Sequence, residues 1–219
     1  MPVVSDVYTQ YKIMVNLQKH MFRVAGVAAL ICDHIPEEKH AELKIDRENI
    51  LRACLLHDMA NILKFKLDVF PEFLEPEGVD YWQNVKDGFA KKYGAKVHPA
   101  TIQIVKELGC SERVVQLIDA VSFNQEKKNF ESTDFGVKIC AYSDMRVAPM
   151  SVVSLAERLD DGHKRYPTTS KADERFRYAM NALLKKIEVQ IFEKCDISPD
   201  DVTENAVEKY FSILQKISF

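Results

Sequence analysis

Apolar residues recur at spacings of three and four along almost the whole chain, while sustained alternation of apolar and polar residues is hard to find. The first spacing places apolar side chains on one face of an α-helix, whereas alternation is typical of half-buried strands. Glycine is sparse, with 7 in 219 residues, or about 3% against a usual share of about 7%. Proline is also infrequent, so folds built from many tight turns are disfavoured. The sequence predicts an all-α protein.

Two predicted helices form the centre of this fold. The first runs from about Leu17 to His34 and ends before Pro36, because proline disfavours helical backbone at the residue that precedes it. The second begins after Asp46, whose side chain can accept a hydrogen bond from a free backbone N–H group of the first turn. This second helix is apolar on nearly every side, so we expect it to be buried.

The charge balance narrows the range of partners. The chain has 30 basic and 33 acidic residues and a net charge of −3, so no global electrostatic attraction draws it to nucleic acid polymers or anionic membranes. Its N-terminal residues lack the basic start and apolar run of a signal peptide. We expect a cytoplasmic protein that binds neither a nucleic acid polymer nor a membrane. The five cysteines contain no C-x-x-C pair. Three of them, Cys32, Cys54 and Cys140, have apolar helical neighbours and are interpreted as small buried residues.

His57 and Asp58 stand together at the end of the buried helix, in the segment LLHDMANILKF. An imidazole and a carboxylate at the edge of an apolar core are costly unless a partner compensates, and a metal ion is an effective partner. Neighbouring helical side chains point about 100° apart, so one ion can contact both only near the helix edge. Its other ligands must come from elsewhere. His20 and Asp144 lie in similar apolar helical segments and are the best candidates.

The order His20, His57-Asp58, Asp144, with each residue on a predicted helix, resembles the HD superfamily of metal-dependent phosphohydrolases. The resemblance covers roughly residues 15–150 and includes the leucine pair before the doublet. It implies that these four residues bind one divalent metal ion. Mixed imidazole and carboxylate ligands suit Mn, Fe, Co, Ni or Zn, with Mg as a further option, and the sequence does not choose among them.

The resemblance also implies a fold and a domain organisation. It implies an HD-domain-like helical bundle over residues 1–150. The helical pattern of residues 151–219 predicts a C-terminal helical extension packed on the same body. No internal repeat or linker separates the two parts. The C-terminal helices carry an apolar stripe, which we expect to be buried by this packing. A homodimer formed through the same stripe is the alternative.

The activity implied by the resemblance is hydrolysis of a small phosphorylated metabolite, in the first place a nucleotide monoester, by water that the metal activates. Asp58 would take part in catalysis with Asn61, three residues further on, where family members often have lysine and one branch has glutamate. An amide can hold water or a phosphate oxygen, but it cannot transfer a proton. The alternative is a catalytically weakened regulatory module that binds metal or nucleotide. A helical scaffold without metal is a third interpretation.

Two cations are candidates for binding the substrate phosphate. Arg23 lies three residues after His20 and therefore on the same helical face. Lys64 follows Asp58 by six residues and would flank the site if that helix continued. An ordinary position on a solvated surface is the alternative for each cation.

His98 is a further candidate metal ligand. It stands at the start of a predicted helix and is the best match to a histidine that binds a second metal in some family members. The next such histidine is absent, because Ser122, Phe123 and Asn124 occupy the segment where it is expected. A complete two-metal site is therefore not predicted, and a surface or capping role for His98 is the alternative.

The segment FPEFLEPEGV, residues 70–79, holds two prolines and a glycine and is predicted to form a loop. Its three acids, Glu72, Glu75 and Glu77, are candidates for the proton transfer that Asn61 cannot perform. Solvent-facing side chains are the alternative for all three.

Overall fold

The computed structural model describes residues 2–69 and 71–219. The regular structure of these residues is helical, and their extended backbone pairs only in two isolated bridges, Val3–Ser218 and Val147–Val152. This confirms the predicted all-α fold. The α-helices of the first half are α1 (Val4–Gln10), α2 (Val15–Asp33), α3 (His40–Leu43), α4 (Arg47–Leu56), α5 (Val79–Tyr93), α6 (Val97–Glu107) and α7 (Glu112–Ala120). Those of the second half are α8 (Glu126–Glu131), α9 (Phe135–Asp144), α10 (Leu155–Arg165), α11 (Lys171–Phe192), α12 (Glu204–Glu208) and α13 (Phe211–Leu214).

Helix α4 lies at the centre of the bundle. Its N-cap is Asp46, as predicted, and the Asp46 carboxylate accepts a hydrogen bond of 3.1 Å from the backbone N–H of Asn49. The helix packs against α2, α7 and α9, so apolar side chains on several of its faces are buried. Helices α2 and α9 also pack against each other. The three helices that carry the predicted metal ligands therefore meet in the core.

The regular part of α4 ends at Leu56, directly before the His-Asp doublet. Residues 57–60 form turns, and a short 3-10 helix, Asn61–Lys64, follows. Helix α4 therefore does not continue to Lys64, so the condition on which Lys64 was expected to flank the site is not met. His57 itself keeps right-handed helical backbone angles, so the doublet lies at the end of α4, where the helix gives way to turns.

The C-terminal helices share the hydrophobic core. Helix α11 packs against α8 and α9, while α12 and α13 pack against α2. Leu184, Ile187 and Ile191 of α11 are buried in this packing, whereas Phe176 near the start of the helix is exposed. After α11 the chain forms three short helices, the 3-10 helix Pro199–Asp201, α12 and α13. The division of the chain at residue 150 stays a prediction.

Further observations concern membrane-spanning helices, the cysteines and the acids of the predicted loop. Among residues 2–69 and 71–219, no helix combines the length and the apolarity needed to cross a membrane. All five cysteines are free, and Cys32, Cys54 and Cys140 are buried as small apolar residues. The predicted loop over residues 70–79 begins at Phe70, which lies outside the described residues. Glu72, Glu75 and Glu77 are exposed.

Helices α2 and α12 approach each other closely at Gly26. A Cβ atom at position 26 would lie 2.5 Å from Cγ1 of Val207 and 3.1 Å from its carbonyl oxygen. Carbon atoms without a bond between them are normally about 3.5–4.0 Å apart, and the β-branched Val207 is stiff and cannot easily turn away. Glycine at position 26 therefore permits the C-terminal segment to lie against α2.

We expect Gly26→Ala to lower the free energy of unfolding by about 1–3 kcal/mol, because the added methyl group overpacks the α2–α12 contact. Gly88→Ala is the matched control. Gly88 also lies within a helix, but an added Cβ meets nothing within 4 Å, so this change should stabilise the protein by about 0.5–1 kcal/mol. Urea denaturation of both variants measures the two effects. Equal effects of the same sign would contradict this account of Gly26.

Candidate metal centre

Three helices bring the four predicted ligands together. His20 lies on α2, His57 and Asp58 follow α4, and Asp144 is the last residue of α9. One ligand atom each from His20, His57 and Asp58 lies within 4.8 Å of the others. Oδ1 of Asp144 completes the group, at 3.1 Å from Nε2 of His20 and 3.4 Å from Nε2 of His57.

Each imidazole of the cluster faces both carboxylates. Oδ2 of Asp58 lies 3.6 Å from Nε2 of His20 and 3.6 Å from Nε2 of His57. The two imidazole rings are 5.4 Å apart between centroids and are tilted by 54°. The Nε2 atoms and the carboxylate oxygens therefore converge on one small volume, although the residues are separated by up to 124 positions in the sequence.

The orientation of His57 is set by its own helix. Its Nδ1 lies 2.8 Å from the backbone carbonyl oxygen of Cys54, and an Nδ1–H group donating to that oxygen leaves Nε2 free as a metal ligand. The His57 side chain is only 2% exposed. Its Nε2 makes no hydrogen bond, despite its short distance to Asp144. A buried ring nitrogen without a hydrogen bond is chemically suited to a cation.

Most of the buried polar atoms without a partner belong to residues close in sequence to the four ligands. Buried side-chain oxygen or nitrogen atoms without a hydrogen bond occur on Asn16, His57, Asn61, Glu126 and Ser143. All of these residues except Glu126 are themselves ligand candidates or lie within four positions of one. Buried polar groups are normally paired, and groups that are not paired indicate water or an ion. The donor set and these atoms together fit a divalent cation bound between His20, His57, Asp58 and Asp144.

The protonation of the cluster reflects opposing effects. Burial lowers the pKa of His57, but the neighbouring Asp58 and Asp144 carboxylates outweigh it and raise that pKa to about 9. Burial would raise the pKa of Asp144, but the hydrogen bond with His20 and the charge of the nearby imidazoles of His20 and His57 hold it well below its usual range. Without a cation, positive charge on His57 balances part of the negative charge of the carboxylates.

Arg23, the predicted phosphate-binding cation, is engaged by the C-terminal segment. Its Nε donates to Oε1 of Glu204 at 2.6 Å, and the other oxygen of Glu204 accepts a hydrogen bond of 2.7 Å from the backbone N–H of Val152. Glu204 therefore links α2 to the segment that follows α9. Sequence reasoning missed this residue, because nothing local marks a glutamate that pairs with an arginine 181 positions away.

Of the remaining predicted site residues, Asn61 and Lys64 follow Asp58 closely in the sequence, whereas His98 lies on another helix. Asn61 is buried, with its Oδ1 unpartnered, close in sequence to Asp58. Lys64 is exposed, three residues further on, and forms no ion pair with the described residues. His98 is not brought to the cluster. Its side chain is 50% exposed on α6, and its Nε2 lies 2.7 Å from Oδ1 of Asp119, so a surface ion pair accounts for its position.

The comparisons with known proteins support the sequence resemblance. A family model described as HD domain matches residues 17–196, which is well over half of the chain. The match contains all four residues of the cluster and extends beyond residue 150 to residue 196, just past the end of α11. No curated protein and no solved structure matches the chain.

We expect Mn²⁺ to raise the thermal unfolding midpoint of the wild-type protein, because an ion that binds only the folded state stabilises it. His57→Ala removes a ligand atom and should abolish most of this rise. His98→Ala is the matched control and should keep it, because His98 lies outside the cluster. Differential scanning fluorimetry with and without Mn²⁺ measures both. An equal loss in the two variants would contradict the assignment of the cluster.

Cation binding should also strengthen as the pH rises from 6 to 9. The raised pKa of His57, about 9, means that its imidazole is protonated over this range in the metal-free protein. The cation must displace that proton, so its affinity should rise by up to about tenfold per pH unit and level off above the pKa. Titration calorimetry with Mn²⁺ at pH 6, 7 and 8 checks this, and a constant affinity would refute it.

Proposed function

The chain belongs to the HD domain family, and we propose that it is a metal-dependent phosphohydrolase of a small phosphorylated metabolite. The observation that carries the proposal is the convergence of ligand atoms from His20, His57 and Asp58 within 4.8 Å, beside Asp144. We propose a nucleotide monoester as the substrate and Mn, Fe, Co, Ni or Zn as the ion, with Mg as a further option.

A divalent ion bound here would neutralise charge on the phosphoryl oxygens and lower the pKa of a bound water. The chain itself supplies the surroundings of the reaction. Asp58 lies at the edge of the cluster, partly exposed, and its carboxylate can accept a proton from water. Asn61 is buried beside the doublet in sequence, and its amide can donate a hydrogen bond to a phosphate oxygen.

The two proposed phosphate-binding cations differ in availability. Lys64 is exposed and forms no ion pair with the described residues, so it can meet a phosphate without breaking a contact. Arg23 is already paired with Glu204. A substrate anion would have to compete with a partly buried carboxylate held by a second hydrogen bond. These contacts favour Lys64 for direct binding of the phosphate.

The second candidate function is a regulatory module that binds metal or nucleotide without turnover. Two observations favour it. Asn61 cannot transfer a proton, and Glu204 occupies the guanidinium of Arg23. In this alternative the cluster holds a cation and a nucleotide, but the phosphoester bond is not broken.

The proposal extends to partners and location. We propose that the protein acts on a small molecule in the cytoplasm and has neither a nucleic acid polymer nor a membrane as its partner. The net charge of −3 supports the absence of a nucleic acid or membrane partner, because it provides no general attraction to polyanions. A homodimer stays an open proposal.

Purified protein loaded with Mn²⁺, Co²⁺, Ni²⁺, Zn²⁺ or Fe²⁺ is expected to release inorganic phosphate from nucleoside monophosphates. Asp58→Asn keeps the shape of the side chain but removes its charge, so release should fall to the background rate. His98→Ala should retain the wild-type rate, because His98 lies outside the cluster. A colorimetric phosphate assay across the panel of ions makes the measurement.

The same samples distinguish the two functions. Phosphate release by the wild-type protein that disappears in Asp58→Asn supports the hydrolase and excludes the binding module. Binding of nucleoside monophosphate by calorimetry, with no release under any ion, supports the module instead. If the protein binds neither a divalent ion nor a nucleoside monophosphate, both functions are wrong.

A further inference from the structure

The last turn of α4, which leads into the His-Asp doublet, is held by a side chain from α1. Tyr8 is 1% exposed, and its hydroxyl donates a hydrogen bond of 2.6 Å to the backbone carbonyl oxygen of Leu55. The carbonyl groups in the last turn of a helix have no intrahelical partners, and a buried carbonyl without a partner is costly. Burial raises the pKa of Tyr8 well above its usual value, so the hydroxyl keeps the proton that it donates.

Tyr8 also contacts the helix that carries His20. Its ring lies edge-to-face against the ring of Phe22 on α2, with the centroids 5.8 Å apart. Tyr8 therefore contacts both α2 and α4, the two helices whose relative position brings His20 to His57. Helix α1 lies before the segment that the family model matches, so the match does not cover this residue.

The other side of the doublet is held by a second buried hydroxyl. Thr101 of α6 is 1% exposed, and its Oγ1 accepts a hydrogen bond of 3.3 Å from the backbone N–H of Ala60. Ala60 lies two residues after Asp58, in the turn where the backbone N–H of Asn61 donates to the carbonyl oxygen of Asp58 at 2.9 Å. Thr101 thus fixes the backbone after the doublet, whereas Tyr8 fixes the backbone before it.

The metal cluster depends on the position of this backbone. Nδ1 of His57 lies 2.8 Å from the carbonyl oxygen of Cys54, in the same last turn of α4. Oδ2 of Asp58 lies 3.6 Å from Nε2 of His57 and 3.6 Å from Nε2 of His20. Binding groups must be held within about 0.5 Å of the productive geometry. A shift of the turn would move the imidazole and the carboxylate of the doublet away from the ligands on α2 and α9.

We propose that Tyr8 and Thr101 are positioning residues of the metal centre, which hold the backbone on either side of the doublet so that His57 and Asp58 face the other two ligands. The inference deepens the proposed function and rests on it, because it requires the cation site. Neither hydroxyl is a ligand or a catalytic group. Loss of either lowers the affinity for a cation, because part of the binding free energy is then used to order the turn.

The test compares the dissociation constant for Mn²⁺ among variants of the full chain by titration calorimetry. Tyr8→Phe and Thr101→Val each remove a hydroxyl and nearly keep the size of the side chain. Each should raise the dissociation constant about tenfold, which is the lower end of the usual effect of groups that support metal ligands. Thr101→Ser keeps the hydroxyl and should recover most of the affinity.

Two matched controls make the same chemical changes elsewhere. Tyr178→Phe removes a hydroxyl from an exposed side chain on α11. Thr9→Val removes a hydroxyl that donates to the carbonyl oxygen of Ser5 at an exposed position of α1. Neither hydroxyl bonds to the doublet or its turn, so both controls should bind Mn²⁺ with the affinity of the wild type.

Stability separates positioning from a purely structural role. The unfolding midpoint of each metal-free variant is measured first, and the calorimetry is run well below the lowest midpoint, where every variant is folded. Tyr8→Phe and Thr101→Val should both lower the midpoint, because each leaves a buried backbone group without a partner. A purely structural role would lower the midpoint in the same way but leave the Mn²⁺ affinity of the folded protein unchanged.

Weaker Mn²⁺ binding by folded Tyr8→Phe and Thr101→Val, with recovery in Thr101→Ser, supports the proposal. Wild-type affinity in both hydroxyl-deletion variants, a Thr101→Ser variant as weak as Thr101→Val, or an equal loss of affinity in the controls would overturn it. If the wild-type protein binds no Mn²⁺, the proposed function fails as well. Binding that is equal in the wild type, Tyr8→Phe and Thr101→Val overturns this inference alone.

Discussion

The attraction between two imidazoles and two carboxylates at the junction of α2, α4 and α9 is the interaction on which the site depends. Oδ1 of Asp144 lies 3.1 and 3.4 Å from the Nε2 atoms of His20 and His57, which is close enough to shift the pKa of His57 upward and that of Asp144 downward. Each side chain would be costly at the edge of an apolar core by itself. Together they balance one another in part, and a cation would complete the balance. This mutual balance of charge explains how four polar side chains can lie at the edge of an apolar helical core.

The sequence was sufficient to identify the helical class, the central helix after Asp46 and the cluster, because these follow from periodicity, a capping residue and a recognisable order of ligands. It was less informative where tertiary contacts decide the outcome. Whether α4 would continue past His57 depends on packing around the doublet, and local propensity is too weak to settle such a boundary. His98 shows the same limit, since only the fold reveals that its neighbour is Asp119.

Tyr8 and Glu204 could not have been found from their local sequence. Each is one of several residues of its type in the chain, with no motif around it. Tyr8 stands out through a buried hydrogen bond to Leu55 across 47 positions, and Glu204 through a pair with Arg23 across 181 positions. Both properties are created by folding. Long-range pairing and desolvation are where reasoning from a single sequence is weakest, and in this protein both occur around the same three helices.

The ion pair between Glu204 and Arg23 joins a residue inside the family match to a residue outside it. All four residues of the cluster lie within the segment matched by the family model, which ends at residue 196, whereas Glu204 lies beyond it. Mutation after residue 196 can change how the arginine near His20 is engaged while leaving the cluster itself untouched. The cluster thus lies within the matched segment, whereas the carboxylate that engages Arg23 is contributed from outside it, so this ion pair can diverge during evolution while the cluster is retained.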